Sequence, residues 1–353
     1  MKIIFDDQIF LEQKWGGISN IFINYINLLK KNNKIKVYLP FIFTLNKNLK
    51  DKFYIPKNIL TYTVIKNFNK VLLKFFLIFF NYNFLHLTYF RKDLIVPNKK
   101  IILSIPDMIP ERNKKYFNNP LKVHPFKKEL ALKAHKILTL SKTSKKYISQ
   151  EYSINKNKIF VIYPSIKKTK KIRIQFKLPN DYLLYVGTRE GYKRFDFLLE
   201  VFSKISKTKN NLYLVCIGSK FNKNEIKIMR KLKIYNKVLF FDNPCAKEKN
   251  FLYQNAICKI FPSIDEGFGM PIIEAFANKC PVILSDIEVF KEVAGKFGIF
   301  FKKNSQYSLK YKIEMVIKNN NKFKKKFNNM NFNLFFKKYS TNNTIEKLKK
   351  LYT

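Results

Sequence analysis

Two carboxylates, Glu266 and Glu274, bracket the run Gly267-Phe268-Gly269-Met270-Pro271. A carboxylate accepts hydrogen bonds on two oxygens and can chelate a vicinal diol, so the pair suits a ribose or hexose ligand. Glycines let a ligand approach the backbone, and Pro271 suits the first helical turn. A helix that starts there presents unpaired N–H groups and a partial positive charge, which favour an anion or a hydroxyl-rich group. Residues 261–300 hold six acids and three lysines, in a chain whose net charge is +45. The plainer account of Glu274 is a carboxylate complementing a helix dipole, worth roughly 0.3–1 kcal/mol.

Cations gather in a second segment, Tyr182-Leu-Leu-Tyr-Val-Gly-Thr-Arg-Glu-Gly-Tyr-Lys-Arg-Phe. An apolar strand runs into a turn at Gly187, and Arg189 and Lys193 follow before a helical pattern begins. Loops after parallel strands open onto the ligand crevice of such sheets. There Arg grips a diphosphate as a fork and Lys as a point charge. Alternatively, both are solvated cations in a cation-rich chain. A third segment, Lys14-Trp-Gly-Gly-Ile-Ser, reads equally as a tight turn or as a ligand loop built on Gly16 and Gly17, with Ser19 as a helix cap. His86, His124 and His135 read as structural. Among the cysteines, Cys216, Cys245, Cys258 and Cys280, no pair has CxxC spacing, which predicts reduced thiols. No Asp-x-Asp metal motif is present.

The elements that must position these residues alternate. Strands are expected at Lys2–Phe5, Lys36–Leu39, Leu60–Val64, Phe84–Leu87, Ile101–Ser104, Lys136–Thr139 and Ile159–Val161. In the second half they are expected at Tyr182–Val186, Leu212–Ile217, Val238–Phe241, Lys259–Phe261 and Pro281–Leu284. Helical patterns at Ile18–Lys30, Phe126–Ala134, Arg194–Lys207, Asn224–Leu232 and Ile272–Ala277 fall between them. Such alternation implies parallel sheets covered on both faces. Length argues for two domains, and the polar basic run Lys167–Lys171 marks their boundary near Pro164–Lys177. The expected layout is a first domain over 1–168, a second over 169–330, and a C-terminal helical segment over 331–353.

Composition bounds the partners. The chain is 46% hydrophobic, so a core can be buried. Both halves are strongly basic. The Lys, Asn, Ile and Phe richness fits coding bias of an AT-rich genome; it equally fits attraction to anionic lipid or a phosphorylated substrate. No zinc spacing, RNP-like aromatic motif or helix-turn-helix supports nucleic acid, and none is expected as partner. The N-terminus MKIIFDD reads as a strand rather than a signal peptide. The apolar stretch Val71–Phe80 is too short to span a bilayer and reads as a buried helix or a membrane-surface face.

Together these segments resemble the family-4 retaining glycosyltransferases of the GT-B fold. The run Glu266-Gly-Phe-Gly-Met-Pro-Ile-Ile-Glu274 looks like the family's E-x7-E signature. Tyr185-Val-Gly-Thr-Arg-Glu-Gly-Tyr-Lys looks like its donor-phosphate turn, and Trp15-Gly-Gly-Ile-Ser like its N-terminal glycine loop. Weaker likeness runs through His86-Leu-Thr-Tyr-Phe, Ile105-Pro-Asp-Met-Ile, Ile162-Tyr-Pro-Ser and Glu292-Val-Ala-Gly. The resemblance implies two Rossmann-like doubly wound α/β domains facing each other across a cleft. It also implies transfer of a hexose-type sugar, mannose among the candidates, from a nucleotide-diphosphate donor to a glycan or lipid-linked acceptor. Cell-surface polysaccharide or lipopolysaccharide synthesis is the setting it suggests. By resemblance Arg189, Lys193 and Glu266 would be catalytic. The substrate would be bound by Gly16, Gly17, Asp107, Gly187, Gly267, Phe268, Gly269, Met270, Pro271 and Glu274. No cofactor or metal is expected. The expected place is the cytoplasm, with an anionic membrane surface as a further partner at the inner face of the cytoplasmic membrane. Members often show His-Asp-Met where this chain has Pro106-Asp107-Met108, so the family's sugar-facing His is replaced by proline. A nucleotide-sugar epimerase or a catalytically dead binder of the same fold are the alternatives.

Overall fold

The computed structural model describes residues 1–56, 58–91, 100–117, 126–174, 178–189, 191–330 and 332–353. The chain divides into two compact units, Met1–Ser165 with Lys337–Thr353, and Ile166–Phe336.

Unit 1 opens with β1 (Lys2–Phe5), then α1 (Gln8–Glu12), α2 (Gly17–Lys30), β2 (Lys36–Tyr38) and the short strands β3 (Phe43–Thr44) and β4 (Phe53–Tyr54). Helix α3 (Ile59–Phe79) precedes β5 (Phe84–Leu87) and β6 (Lys100–Ser104). Then come α4 (Ile109–Arg112), α5 (Lys127–Lys133), β7 (Lys136–Thr139), α6 (Lys142–Tyr152) and β8 (Ile159–Val161). The main sheet runs β2-β1-β5-β6-β7-β8, parallel throughout. Buried residues on both faces explain strands that are apolar runs rather than alternating ones, such as Ile3-Ile4-Phe5.

Unit 2 repeats the scheme with β9 (Asp181–Val186), α7 (Phe195–Ser206), β10 (Leu212–Ile217), α8 (Lys223–Lys231), β11 (Val238–Phe241) and α9 (Ala246–Asn255). It continues with β12 (Cys258–Phe261), α10 (Met270–Ala277), β13 (Val282–Ser285), α11 (Glu288–Ala294), β14 (Ile299–Phe301), α12 (Gln306–Lys318) and α13 (Asn320–Asn329). The parallel sheet order is β11-β10-β9-β12-β13-β14. Its core gathers Phe195, Leu198, Phe202 and Ile205 from α7 against Leu183, Tyr185 and Leu214 from the sheet. After α14 (Asn333–Lys338) the last helix, α15 (Thr341–Leu351), packs on α2 within unit 1.

One expected strand is a helix. Leu60–Val64 lies in the first turns of α3, although Thr61, Thr63 and Val64 are good strand formers. The Asn58 side chain accepts from Thr61 N–H at 2.7 Å, and Thr61 Oγ1 accepts from Asn58 N–H at 2.9 Å. This reciprocal capping box nucleates the helix and outweighs the local preference. The Lys- and Asn-rich stretch Asn320–Asn329 forms α13.

Candidate active site

In unit 2 the strand order reverses between β9 and β12, which are hydrogen-bonded neighbours. The loops leaving their carboxyl ends therefore lie side by side at a topological switch point, where open α/β sheets bind ligands. The β9 loop carries Gly187, Arg189 and Lys193, and the β12 loop carries Glu266. Ile264 N–H donates to Tyr192 O at 3.0 Å and ties the two loops together. Lys193 Nζ donates to Glu266 Oε1 at 2.6 Å. The same oxygen accepts from Ser263 Oγ at 2.8 Å. The rings of Tyr192 and Phe261 lie 4.9 Å and 5.8 Å from Lys193 Nζ. A cation and a carboxylate, both largely buried, are thus held in fixed register at the switch point.

Arg189 has a different place from the one expected. Its Nε donates to Glu225 Oε1 at 2.6 Å, and its Nη2 to Ser219 O, Lys220 O and Glu225 Oε2. Its guanidinium also stands 4.9 Å from the Phe221 ring centre. Glu225 in turn closes a capping box with Asn222 at the start of α8. Arg189 therefore braces the loop between β10 and α8. Its Nη1 is buried and has no hydrogen-bond partner among the described residues.

Gly267 and Phe268 are buried in the loop before α10, and Gly269 is its N-cap at φ +93°, a conformation that favours glycine. Met270 and Pro271 form its first turn, half-buried. Glu274, on the same helix, accepts from Lys249 Nζ at 2.8 Å on Oε1 and from Tyr253 OH at 3.1 Å on Oε2. It borders a pocket of 410 Å³ with Lys167, Lys170, Lys249 and Asn250. Burial, then the neighbouring carboxylate, pushes the Tyr253 phenol well above its ordinary pKa, so it stays a donor. The structure thus joins Lys193 to Glu266, but gives Arg189 and Glu274 separate partners.

Lys259 was missed by reading the sequence. It sits in β12, fully buried, with Nζ 3.6 Å from the Phe261 ring centre and no hydrogen-bond partner among the described residues. Burial pushes its pKa down to about 7, against an opposing pull from Glu266. A lysine in the otherwise apolar strand Cys-Lys-Ile-Phe was the signal. Lys249 and Tyr253 carried one too, since i,i+4 residues share a helix face.

The remaining expected residues belong to unit 1. Gly16 is the N-cap of α2, and Gly17 its first residue. A Cβ on Gly16 would meet Gln13 Oε1 at 2.0 Å, whereas one on Gly17 would meet nothing within 4 Å. Ser19 does not cap the helix as expected. It lies inside α2, its N–H donates to Gln13 Oε1 at 3.0 Å, and its hydroxyl donates to Gly16 O. Asp107 follows β6 and accepts from Ile109 N–H at 3.1 Å. Pro106 O accepts from Ser144 Oγ, and Lys127 Nζ donates to Asp107 O at 2.7 Å. The unit 1 switch point, between β1 and β5, holds a buried polar cluster that the sequence did not announce. Thr88 N–H donates to Asp6 Oδ1 at 2.7 Å, and Arg91 Nη1 to Asp7 Oδ1 at 2.5 Å. Burial raises both carboxyls, Asp6 to about 7. His86 is a core residue: it bridges Tyr352 OH and Ser104 Oγ, and burial pushes its pKa down to about 3. His135 is exposed, and His124 lies outside the described residues.

Residues 166–332 match the family model described as Glycosyl transferases group 1. This stretch, a little under half of the chain, is similar to that family. The group 1 region contains the whole Lys193–Glu266–Glu274 constellation. Among curated relatives, the chain is 33% identical over 180 residues to the O-antigen chain mannosyltransferase RfbU of Salmonella typhimurium, covering 51% of this chain and 50% of that protein. It is 36% identical over 122 residues to the serotype-specific mannosyltransferase WbdA of Escherichia coli, covering 33% of this chain and 15% of that protein. The matches thus span half or less of these relatives' lengths. Solved structures resemble the entire chain. Anabaena HepE in complex with UDP-glucose superposes with a TM-score of 0.74 at 15% identity, covering 99% of this chain and 98% of that one. A glycosyltransferase from Rickettsia africae gives 0.68 at 19% identity, covering 99% and 97%. With two parallel-sheet units in one chain, the fold beyond the group 1 region is that of the GT-B glycosyltransferases.

Proposed function

We propose that the chain transfers a hexosyl group from a nucleotide-diphosphate sugar to an acceptor hydroxyl, with retention and without a metal ion. The observation that carries this reading is the Lys193–Glu266 pair at the switch point of a group 1 glycosyltransferase sheet. Lys193 is the cation placed to meet charge as it develops on the departing diphosphate. The first-turn N–H groups of α10 add a positive field. Glu266 keeps Oε2 for hydroxyls of the transferred sugar. Each oxygen of a carboxylate accepts more than one hydrogen bond, so Glu274 can take ribose hydroxyls while keeping Lys249 and Tyr253. Arg189 positions the loop through Glu225, Ser219 and Lys220. In the step itself the bond from the anomeric carbon to the phosphate oxygen breaks, and one to the acceptor oxygen forms on the same face. The acceptor proton passes to a departing phosphate oxygen, and a nucleoside diphosphate leaves.

Mannose is the sugar we assign, because RfbU and WbdA are named mannosyltransferases. RfbU is also named for the O-antigen chain, which supports O-antigen assembly as the setting and a glycan or lipid-linked acceptor as the partner. The test is a thermal-shift screen of nucleotide sugars. A donor present at about 100 times its Kd adds roughly 2.7 kcal/mol of stability. GDP-mannose, UDP-glucose and UDP-galactose should divide into one donor that raises the melting temperature and others that do not. Glu274→Ala should erase most of that gain. Release of nucleoside diphosphate with a mannosylated acceptor should persist in EDTA. Donor binding without nucleoside diphosphate release from any acceptor would leave a binder and sink the transferase reading.

A further inference from the structure

We propose that the outer face of α3 docks on the surface of an anionic phospholipid bilayer. The helix exposes its apolar side and buries a face that carries a polar anchor. Leu60, Val64, Phe68, Val71, Phe75 and Ile78 recur at steps of three or four, so they form one stripe along the helix. All six are exposed, Leu60 and Ile78 to 74%. The opposite face buries Ile65, Asn69 and Leu73. Asn69 Nδ2 donates to Asp7 Oδ2 at 2.8 Å and to Phe43 O at 2.9 Å, which locks the roll of the helix with its stripe outward. The patch continues beyond α3: the Phe43 ring lies 5.4 Å from Phe68 and 6.4 Å from Phe53, itself 71% exposed.

Charge chooses the occupant. Lys70 and Lys74 each precede a stripe residue by one position, so a turn of about 100° sets both along one border of the stripe. No Asp or Glu occurs from Lys52 to Arg91, within a chain at +45. An apolar stripe edged by lysines and free of acids matches a layer of acidic headgroups over acyl chains. Among the described residues no helix is long and apolar enough to cross a membrane, so the contact is with one surface.

The test uses the full chain, without donor, so its outcome is independent of the transferase reading. Co-sedimentation is measured with vesicles of phosphatidylglycerol and phosphatidylcholine, and with phosphatidylcholine alone. Wild type should pellet with the mixed vesicles. The triple variant Val71→Gln, Phe75→Gln, Ile78→Gln should lose at least about tenfold in partitioning, because the apolar face supplies the insertion. Lys70→Gln with Lys74→Gln should lose about fivefold per lysine on the mixed vesicles only. Far-UV circular dichroism and the melting temperature of the triple variant should equal those of wild type. Equal pelleting of wild type and triple variant would assign binding to bulk charge and overturn the proposal. A large fall in the triple variant's melting temperature would also overturn it, since the stripe would then pack within the chain. So would a wild-type dimer that the triple variant breaks, with no pelleting of either: the occupant would be a second copy.

Discussion

Lys193 and Arg189 stand four positions apart in one loop, yet burial and partners give them different work. Lys193 faces a carboxylate at the switch point, so its removal should strike the chemical step. Lys193→Met is expected to lower kcat by about 100- to 1,000-fold, read by steady-state kinetics below the variant's melting temperature, which should itself fall because Glu266, 7% exposed, loses its cation. Arg189 is locked to Glu225, with side chains 5% and 10% exposed. Arg189→Met strands a buried carboxylate and should cost about 3–5 kcal/mol in denaturant unfolding. If its melting behaviour is unchanged while donor binding vanishes, Arg189 is a ligand contact rather than a brace. Lys259 gives a signed pH effect. Its folded pKa of about 7 lies below its ordinary 10.5, so the unfolded chain holds more protons between those values. Stability should therefore rise with pH across that window, and the full penalty should apply below about pH 7. Lys259→Met should raise the melting temperature most at and below pH 7, with the difference shrinking toward pH 10.5. A variant less stable than wild type at pH 6 would show that the charge on the Phe261 ring is favourable there.

At the level of elements, the turn at Gly269 sets where α10 begins. Its φ of +93° strains any side chain, and a Cβ would meet Ile272 Cδ1 at 3.0 Å and a Phe290 ring carbon at 3.2 Å. Gly269→Ala should cost about 1–3 kcal/mol, measured as a lowered melting temperature, and should weaken donor binding as the first turn shifts. The same scale shows what could be read in advance. Buried parallel strands such as Tyr182–Val186 and Leu212–Ile217 were legible because apolar runs bounded by Asp or Asn before and glycine after have few alternatives. So was the loop–helix passage from Glu266 to Glu274, whose glycines and proline fix a helix start. Side-chain partners across elements were not legible. Glu225 is 36 positions from Arg189, and nothing local pairs them. Helix α3 misled in another way: its strand-forming start is overruled by the Asn58–Thr61 cap, and its apolar residues face outward, against the usual rule that periodic hydrophobics mark the core.

At the level of the molecule, unit 1 is assembled from both ends of the chain. Leu348, Leu351 and Tyr352 are buried, Thr344 Oγ1 donates to Tyr163 O at 3.0 Å, and Lys136 Nζ donates to Leu351 O at 3.1 Å. Truncation before Thr341 should expose this seam and leave His86 without its Tyr352 partner. Circular dichroism should show unit 1 melting early while the cooperative transition of unit 2 survives; one unchanged transition would mean that α15 is dispensable.

That discontinuity also sets an order of events during synthesis. Unit 2 is one contiguous stretch, Ile166–Phe336, and has all its parts before α15 has been translated. The sheet that begins at Lys2 is made first, but α2 lacks its partner helix until α15 has been translated. The first-made half is thus the last to close, and it waits with the apolar face of α3 already on display.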